Sequence, residues 1–305
     1  MAQVALSTSL GPLALRTPLI AASGTVGSVW EWASVADVSV YGAAVAKSVA
    51  PEEWKGRSPP RVAPLPVGML NSIGIQNPGI EAWIAETAPR LKDLDVPVWG
   101  SAVGGTPQEF AAVAAGLEAG GVAAIEVNLS CPNLDDGEMF SFDPRQSAEV
   151  VASIREVTTT PIGAKLSPDT PDIVAVARAC QQAGADFVVL TNTARGFGVS
   201  ISDARPLISG GVGGYSGPGL KPLSLRCVYE VSRELPSLPV VGCGGVMTGA
   251  DVVEYLIAGA AAVEIGTVHF AEPRAGVRIA KELTKILVRL GATSPEEIVG
   301  SVQPW

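Results

Sequence analysis

The 305-residue chain is poor in aromatic side chains, in positive charge, in cysteine and in histidine. Aromatics make up 5% against 47% hydrophobic residues overall, so a sizeable core must be aliphatic and closely spaced. That mixture fits helices packed on a sheet better than an aromatic-filled sandwich. Lys and Arg total 21 against 30 Asp and Glu, a formal charge of −9, and no basic footprint for nucleic acid is visible. The four cysteines, at 131, 180, 227 and 243, make no CxxC pair and no convincing disulfide frame, which points to a reducing, cytoplasmic setting. Only one histidine, His269, is present, and no ligand cluster accompanies Asp135, Asp136 and Glu138, so no metal site is expected. No basic segment followed by an apolar one opens the chain, and no unbroken apolar run reaches the ~20 residues of a membrane span, so neither a signal peptide nor a membrane partner is expected.

What is present is a recurrence of short apolar segments rich in Val, Ile, Leu and Ala. They are Leu19 to Ser23, Ala43 to Lys47, Val96 to Val103, Ala124 to Leu129, Ile162 to Leu166, Phe187 to Thr191, Val240 to Cys243 and Ala262 to Gly266. Most are continuous rather than alternating, the pattern of parallel strands buried on both faces. Residues 3–15 predict a short hairpin around Gly11 and Pro12. Helical patterns separate most of the strands. One opens on a predicted capping box, Thr106-Pro107-Gln108-Glu109, and stops at Gly120-Gly121. Others are predicted after Thr170-Pro171, over Ala250 to Ala258 and over Arg274 to Leu290, with Ser294 capping a short last helix.

Eight such strands alternating with helices predict an α/β fold, a (β/α)8 TIM barrel forming a single domain over 1–305. A doubly wound sheet is the competing architecture, but no GxGxxG follows the first strand. Residues 48–95 and 194–220 are too long for ordinary connections and are read as inserted loops over the C-terminal face.

In a barrel the site forms where the strands end. Those ends carry Ser23, Lys47 and Ser48, Ser101, the stretch Asn128-Leu129-Ser130-Cys131-Pro132-Asn133, Lys165, Thr191-Asn192-Thr193, Gly244-Gly245 and Gly266-Thr267. Pro132 cannot join a sheet ladder, which places Cys131 at a strand exit. The glycines after strands seven and eight let backbone N–H groups approach a phosphate. Lys47 and Lys165 would place positive charge beside a cofactor that becomes anionic on reduction, and with no NAD fingerprint the phosphate is assigned to FMN. Cys131 then serves as a general base or a nucleophile. His269 stands open to two readings, a partner for Cys131 or a structural side chain, with the second favoured. Cys180, Cys227 and Cys243 are expected only to pack.

These motifs, together with Asn71-Ser72-Ile73-Gly74-Ile75-Gln76-Asn77, Lys165-Leu166-Ser167-Pro168 and Ser216-Gly217-Pro218, resemble class 1 dihydroorotate dehydrogenases from about Leu15 to Phe270. Thr191-Asn192-Thr193 and the segment Ser216 to Pro222 look most like subclass 1B. The resemblance implies oxidation of (S)-dihydroorotate to orotate in pyrimidine biosynthesis on FMN, with Cys131 taking the C5 proton while C6 gives hydride to flavin N5. It implies substrate contacts from Lys47, Asn71, Ser72, Ile73, Gly74, Ile75, Asn128, Asn192 and Thr193, with Asn133 a further candidate. The implied FMN positions are Ser23, Lys47, Ser48, Asn128, Lys165, Thr191, Gly217, Gly244, Gly245, Gly266 and Thr267. Ser101 stands where the family has Asn, so a shorter flavin contact is expected there. The loop Gly137 to Ser141 departs from the Gly-rich family form and is expected to change how the lid over Cys131 moves. The subclass implies a homodimer joined to a subunit carrying FAD and an iron–sulfur cluster, a heterotetramer. Reduction of another pyrimidine-like ring, a cofactor-free phosphate-binding barrel and an inactive binding subunit are the competing functions.

Overall fold

The computed structural model describes residues 4–130 and 139–304. All eight predicted strands are present and close into one parallel barrel: β1 (Leu19–Ala21), β2 (Ala43–Val45), β3 (Val98–Ala102), β4 (Ala124–Asn128), β5 (Ile162–Leu166), β6 (Phe187–Leu190), β7 (Val240–Cys243) and β8 (Ala262–Ile265). Each pairs with its sequence neighbours, and β8 closes on β1 through Val263 opposite Leu19 and Ile265 opposite Ala21.

Alternation along each strand sorts the side chains into two cores. Leu19, Ile125, Val127, Ala164, Leu166, Val188, Leu190, Val263 and Ile265 face the surrounding helices. Ile20, Ala43, Val45, Trp99, Ala124, Phe187, Val189, Val241 and Ala262 fill the barrel interior, and Leu10 and Leu15 of the predicted hairpin (Thr8–Leu10 with Leu13–Leu15) join them from below. Gly163 makes room for the largest of these layers, since a Cβ there would lie 2.1 Å from the Phe187 ring. With both faces buried, the strands read as continuous apolar runs for the expected reason.

The helices hold close to their predicted places, with three differences at their starts. Thr106 accepts from the Glu109 N–H, but the Glu109 carboxylate accepts from Gly105 N–H (2.7 Å) one residue earlier, so the predicted box is only half formed. The reciprocal box belongs instead to Thr248 and Asp251, at the start of the helix Gly249–Ala258. The helix predicted after Thr170 begins at Ile173, because the Asp172 carboxylate caps it by accepting from Ala175 N–H. Ser294 makes no side-chain cap to the short 3-10 turn Pro295–Ile298.

Of the two long connections, 48–95 proves to be part insertion and part ordinary crossover. Its second half is the helical run Ile80–Ala82, a π-helical turn Trp83–Thr87 and Ala88–Leu91. Its first half and residues 194–220 meet in one four-stranded antiparallel sheet, ordered Ala194–Phe197, Val212–Ser216, Met69–Asn71 and Val62–Pro64. This sheet covers the barrel mouth.

Candidate functional site

Between that sheet and the strand ends lies a cavity of about 620 Å3, within the usual size range of small-molecule sites. Ser23, Lys47, Ser48, Asn128, Lys165, Thr191, Gly217, Gly244, Gly245, Gly266 and Thr267 line it, as do Asn71 to Ile75, Asn192 and Thr193. One predicted residue is not on the wall. Ser101 is buried behind Ser48, and the two hydroxyls share a 2.8 Å hydrogen bond. A serine is too short to pass Ser48, so its reach ends there. Cys131 and Asn133, with Asp135, Asp136 and Glu138, lie outside the described residues. The chain on either side is anchored: Ser130 is buried, and Ser141 donates its N–H to Leu129 O (3.0 Å).

The loop after β7 is held in place by two side chains of the helix that follows it. Tyr255 donates its hydroxyl to Gly244 O (2.6 Å), and Asp251 accepts from the N–H groups of Met247 and Thr248. Gly244 and Gly245 have φ of +134° and +70°. A Cβ on Gly245 would lie 2.7 Å from Lys221 N, and one on Gly244 would lie 2.3 Å from Ser224 Oγ. Gly217, at φ +102°, comes within 2.5 Å of Gly68 in the same sense. Only glycine fits these positions, and their backbones face the mouth bare, which is the construction of an anion cradle.

Opposite the cradle the side chains are amides and hydroxyls. Asn192 Nδ2 donates to Ser130 Oγ (2.8 Å) and Asn128 Oδ1 (3.2 Å), while its Oδ1 accepts from Thr193 N–H (2.8 Å). Asn71, on the covering sheet, donates to Gly214 O (3.2 Å) on the neighbouring strand of that sheet. Such a set of fixed donors and acceptors suits a small, planar, polar ring.

The barrel floor holds two residues that sequence reasoning missed. Lys165 Nζ sits 2.7 Å from Glu264 Oε2 and 3.2 Å from Glu126 Oε2, with all three side chains buried. Burial, then the Glu264 carboxylate, pushes the Glu126 carboxyl well above its ordinary range. Burial alone would lower the Lys165 ammonium, but Glu126 and Glu264 together hold it above its ordinary value. Cys243, expected only to pack, lines the cavity beside them, and burial keeps its thiol protonated. A signal existed in the sequence: Glu126 and Glu264 are lone carboxylates inside the apolar runs Ala-Ile-Glu-Val and Ala-Val-Glu-Ile.

His269 resolves as a structural side chain. It is buried outside the cavity, with Nδ1 3.1 Å from Thr25 Oγ1, Nε2 2.9 Å from the Tyr41 hydroxyl, and its ring against Trp32.

The fold and the site together define a (β/α)8-barrel protein with a glycine-built loop after strand seven and a polar, amide-lined mouth. The dihydroorotate dehydrogenase family profile matches residues 5–287, and the chain belongs to that family. It is 40% identical over 300 residues to the dihydroorotate dehydrogenase B (NAD(+)) catalytic subunit of Citrifermentans bemidjiense, covering 98% of both chains. It is 41% identical over 297 residues to the protein of the same name from Anoxybacillus flavithermus, covering 97% of this chain and 95% of that one. Among solved structures, DHODH from Eimeria tenella in complex with ferulenol shares the fold, with a TM-score of 0.82 at 20% identity over 97% of this chain and 88% of that one.

Proposed function

We propose that this chain is the catalytic subunit of a class 1B dihydroorotate dehydrogenase, a single-domain cytoplasmic enzyme that oxidises (S)-dihydroorotate to orotate on FMN in pyrimidine biosynthesis. The observation that carries the reading is a phosphate cradle and an amide-lined wall facing each other across one cavity, in a chain of this family. The mouth fits FMN: a Cβ at Gly217, Gly244 or Gly245 would collide with neighbouring atoms, so the phosphate end is open to backbone N–H groups alone.

Gly217, Gly244, Gly245, Gly266 and Thr267 would hold the phosphate, and Ser23, Lys47, Ser48, Asn128, Lys165 and Thr191 the ring system. Bound there, FMN supplies the two-electron acceptor for the hydride leaving C6. Asn71 to Ile75, Asn128, Asn192, Thr193 and Lys47, with Asn133, orient the substrate ring and its carboxylate. Cys131 takes the C5 proton, a task that needs a base near its own pKa at working pH. Ser101 acts through Ser48 rather than directly. Covering the mouth with the inserted sheet excludes water from the proton transfer.

No cysteine cluster for an iron–sulfur centre exists in the four scattered cysteines. The chain therefore works as a homodimer within a heterotetramer, passing electrons to an FAD and iron–sulfur subunit and on to NAD. Anaerobic mixing with dihydroorotate tests the reading: the purified protein is yellow, and its visible bands bleach as orotate forms. A colourless protein, or bleaching by another dihydropyrimidine and not by dihydroorotate, refutes it.

A further inference from the structure

We propose that Glu126 and Glu264 are positioning residues that set the charge Lys165 presents to the flavin, and through it the flavin's reduction potential. The inference rests on the FMN reading above and on a geometry that reading does not use.

Strand alternation points Glu126, Lys165 and Glu264 into the barrel, above the apolar fill of Ala124, Phe187, Val189 and Ala262. No solvent reaches that layer from below. A single ammonium therefore meets two carboxyl groups in a medium where an uncompensated charge is costly. Two ionised carboxylates would leave the floor net negative and would oppose an electron-rich reduced ring above it. The geometry avoids this. Glu264 makes the short contact with Lys165, 2.7 Å, whereas Glu126 stands at 3.2 and 3.3 Å from the same nitrogen. The shorter, charge-assisted bond marks Glu264 as the carboxylate and Glu126 as the acid. The other Glu264 oxygen, Oε1, is buried and has no hydrogen-bond partner among the described residues. A proton on Glu126 supplies the donor that this oxygen lacks.

Lys47, Glu126, Lys165 and Cys243 are the titratable side chains among the described residues lining the cavity, and the Cys243 thiol is neutral. The floor then carries one positive charge, matched by one negative charge on Glu264 and screened by a proton on Glu126. Removing Glu264 alone lets Glu126 give up its proton and take over the pairing with Lys165; only the loss of both carboxyls leaves the ammonium unopposed and favours the reduced flavin. Removing the Glu126 proton site changes no charge.

The single variants and the double variant should therefore differ. In FMN-loaded protein, Glu126→Gln combined with Glu264→Gln should shift the flavin reduction equilibrium toward the reduced form about tenfold, read as a rise of about 30 mV in the two-electron midpoint potential. Either substitution alone should shift it by less than about threefold, because the remaining carboxyl keeps the pairing. A purely structural role for the two buried carboxyls would let a single variant move the potential as far as the double one. An unmoved potential in the double variant, or a shift beyond about threefold in either single variant, overturns the proposal. Should the double variant fail to fold, the single variants still test it by the same limit of about threefold. A parent protein that takes up no FMN overturns the cofactor reading and this inference with it, whereas a yellow parent with an unresponsive double variant overturns this inference alone.

Discussion

Lys165 is clasped by two buried carboxyl groups, so deleting it has a different consequence from deleting a surface charge. Lys165→Met leaves the Glu264 carboxylate buried without its cation. Breaking a buried pair in this way costs ~3–5 kcal/mol, and urea unfolding of the FMN-free protein should show a loss of that size. Flavin retention or its rate of reduction should fall as well. Cys131 calls for the opposite pairing of outcomes. In the proposed mechanism Cys131→Ser removes the base and nothing else, so the protein should stay yellow and folded. Its flavin should bleach with dihydroorotate some 100-fold to 10,000-fold more slowly near neutral pH, the usual scale of general-base catalysis. Stopped-flow absorbance checks this, and an unchanged bleaching rate would assign the proton transfer to another side chain.

At the scale of elements, the loop after β7 and the covering sheet position everything the residues do. Gly245→Ala tests the loop. The new Cβ must displace Lys221 N at the start of the helix Lys221–Glu234, in a backbone at φ +70° that alanine rarely adopts. FMN affinity, followed by quenching of flavin fluorescence, should fall tenfold or more, roughly 1.4 kcal/mol. Gly121→Ala serves as the control, because its φ of +82° imposes similar strain where no atom lies within 4 Å, so stability should drop and FMN affinity should not. The eight strands and the glycine loops were legible in the sequence because each depends on local residue type: apolar runs of strand length, and glycine where the backbone must turn left-handed. What was not legible depends on pairing across sequence distance. The sheet joining Met69–Asn71 to Val212–Ser216 is set by register between two insertions, and neither reads as a strand alone. The crossover helix in 48–95 was hidden by Pro89 and by the π-helical turn before it. Lys165 was legible as a charge, but its partners, 39 and 99 residues away, became visible only when the barrel closed. Ser101 was placed at the right strand end, and what could not be read was that Ser48 stands in front of it.

At the scale of the whole molecule, the class 1B reading proposed above has the electrons leave the chain through a partner subunit. The isolated chain should bleach with dihydroorotate yet reduce NAD only after the FAD and iron–sulfur subunit is added; NAD reduction by the purified chain alone would remove the need for that partner. Integrity of the barrel sets a second, independent expectation. His269 follows β8, Thr25 follows β1 and Tyr41 precedes β2, so their hydrogen bonds tie together the seam where the barrel closes. Burial lowers the His269 imidazole from 6.5 to about 4, so the native seam keeps it neutral over a range in which the unfolded chain protonates it. Between those two values the unfolded state binds more protons, and stability is full above pH 6.5 and is lost as pH falls toward 4. The whole window is worth roughly 3 kcal/mol at ~1.4 kcal/mol per pH unit. Glu126 acts with the opposite sign, since a carboxyl whose value is raised by burial gains native stability as pH falls. A single pH profile therefore mixes the two, and the comparison has to be made against a variant. His269→Gln removes the titrating group while retaining an amide that bonds to Tyr41 or Thr25. Urea unfolding at pH 7 and pH 5 should show the parent losing roughly 2 kcal/mol more than His269→Gln over that interval. Parallel losses in the two proteins would mean that the imidazole takes up its proton as readily in the folded seam as in the unfolded chain, and that the barrel's closure does not depend on its neutrality.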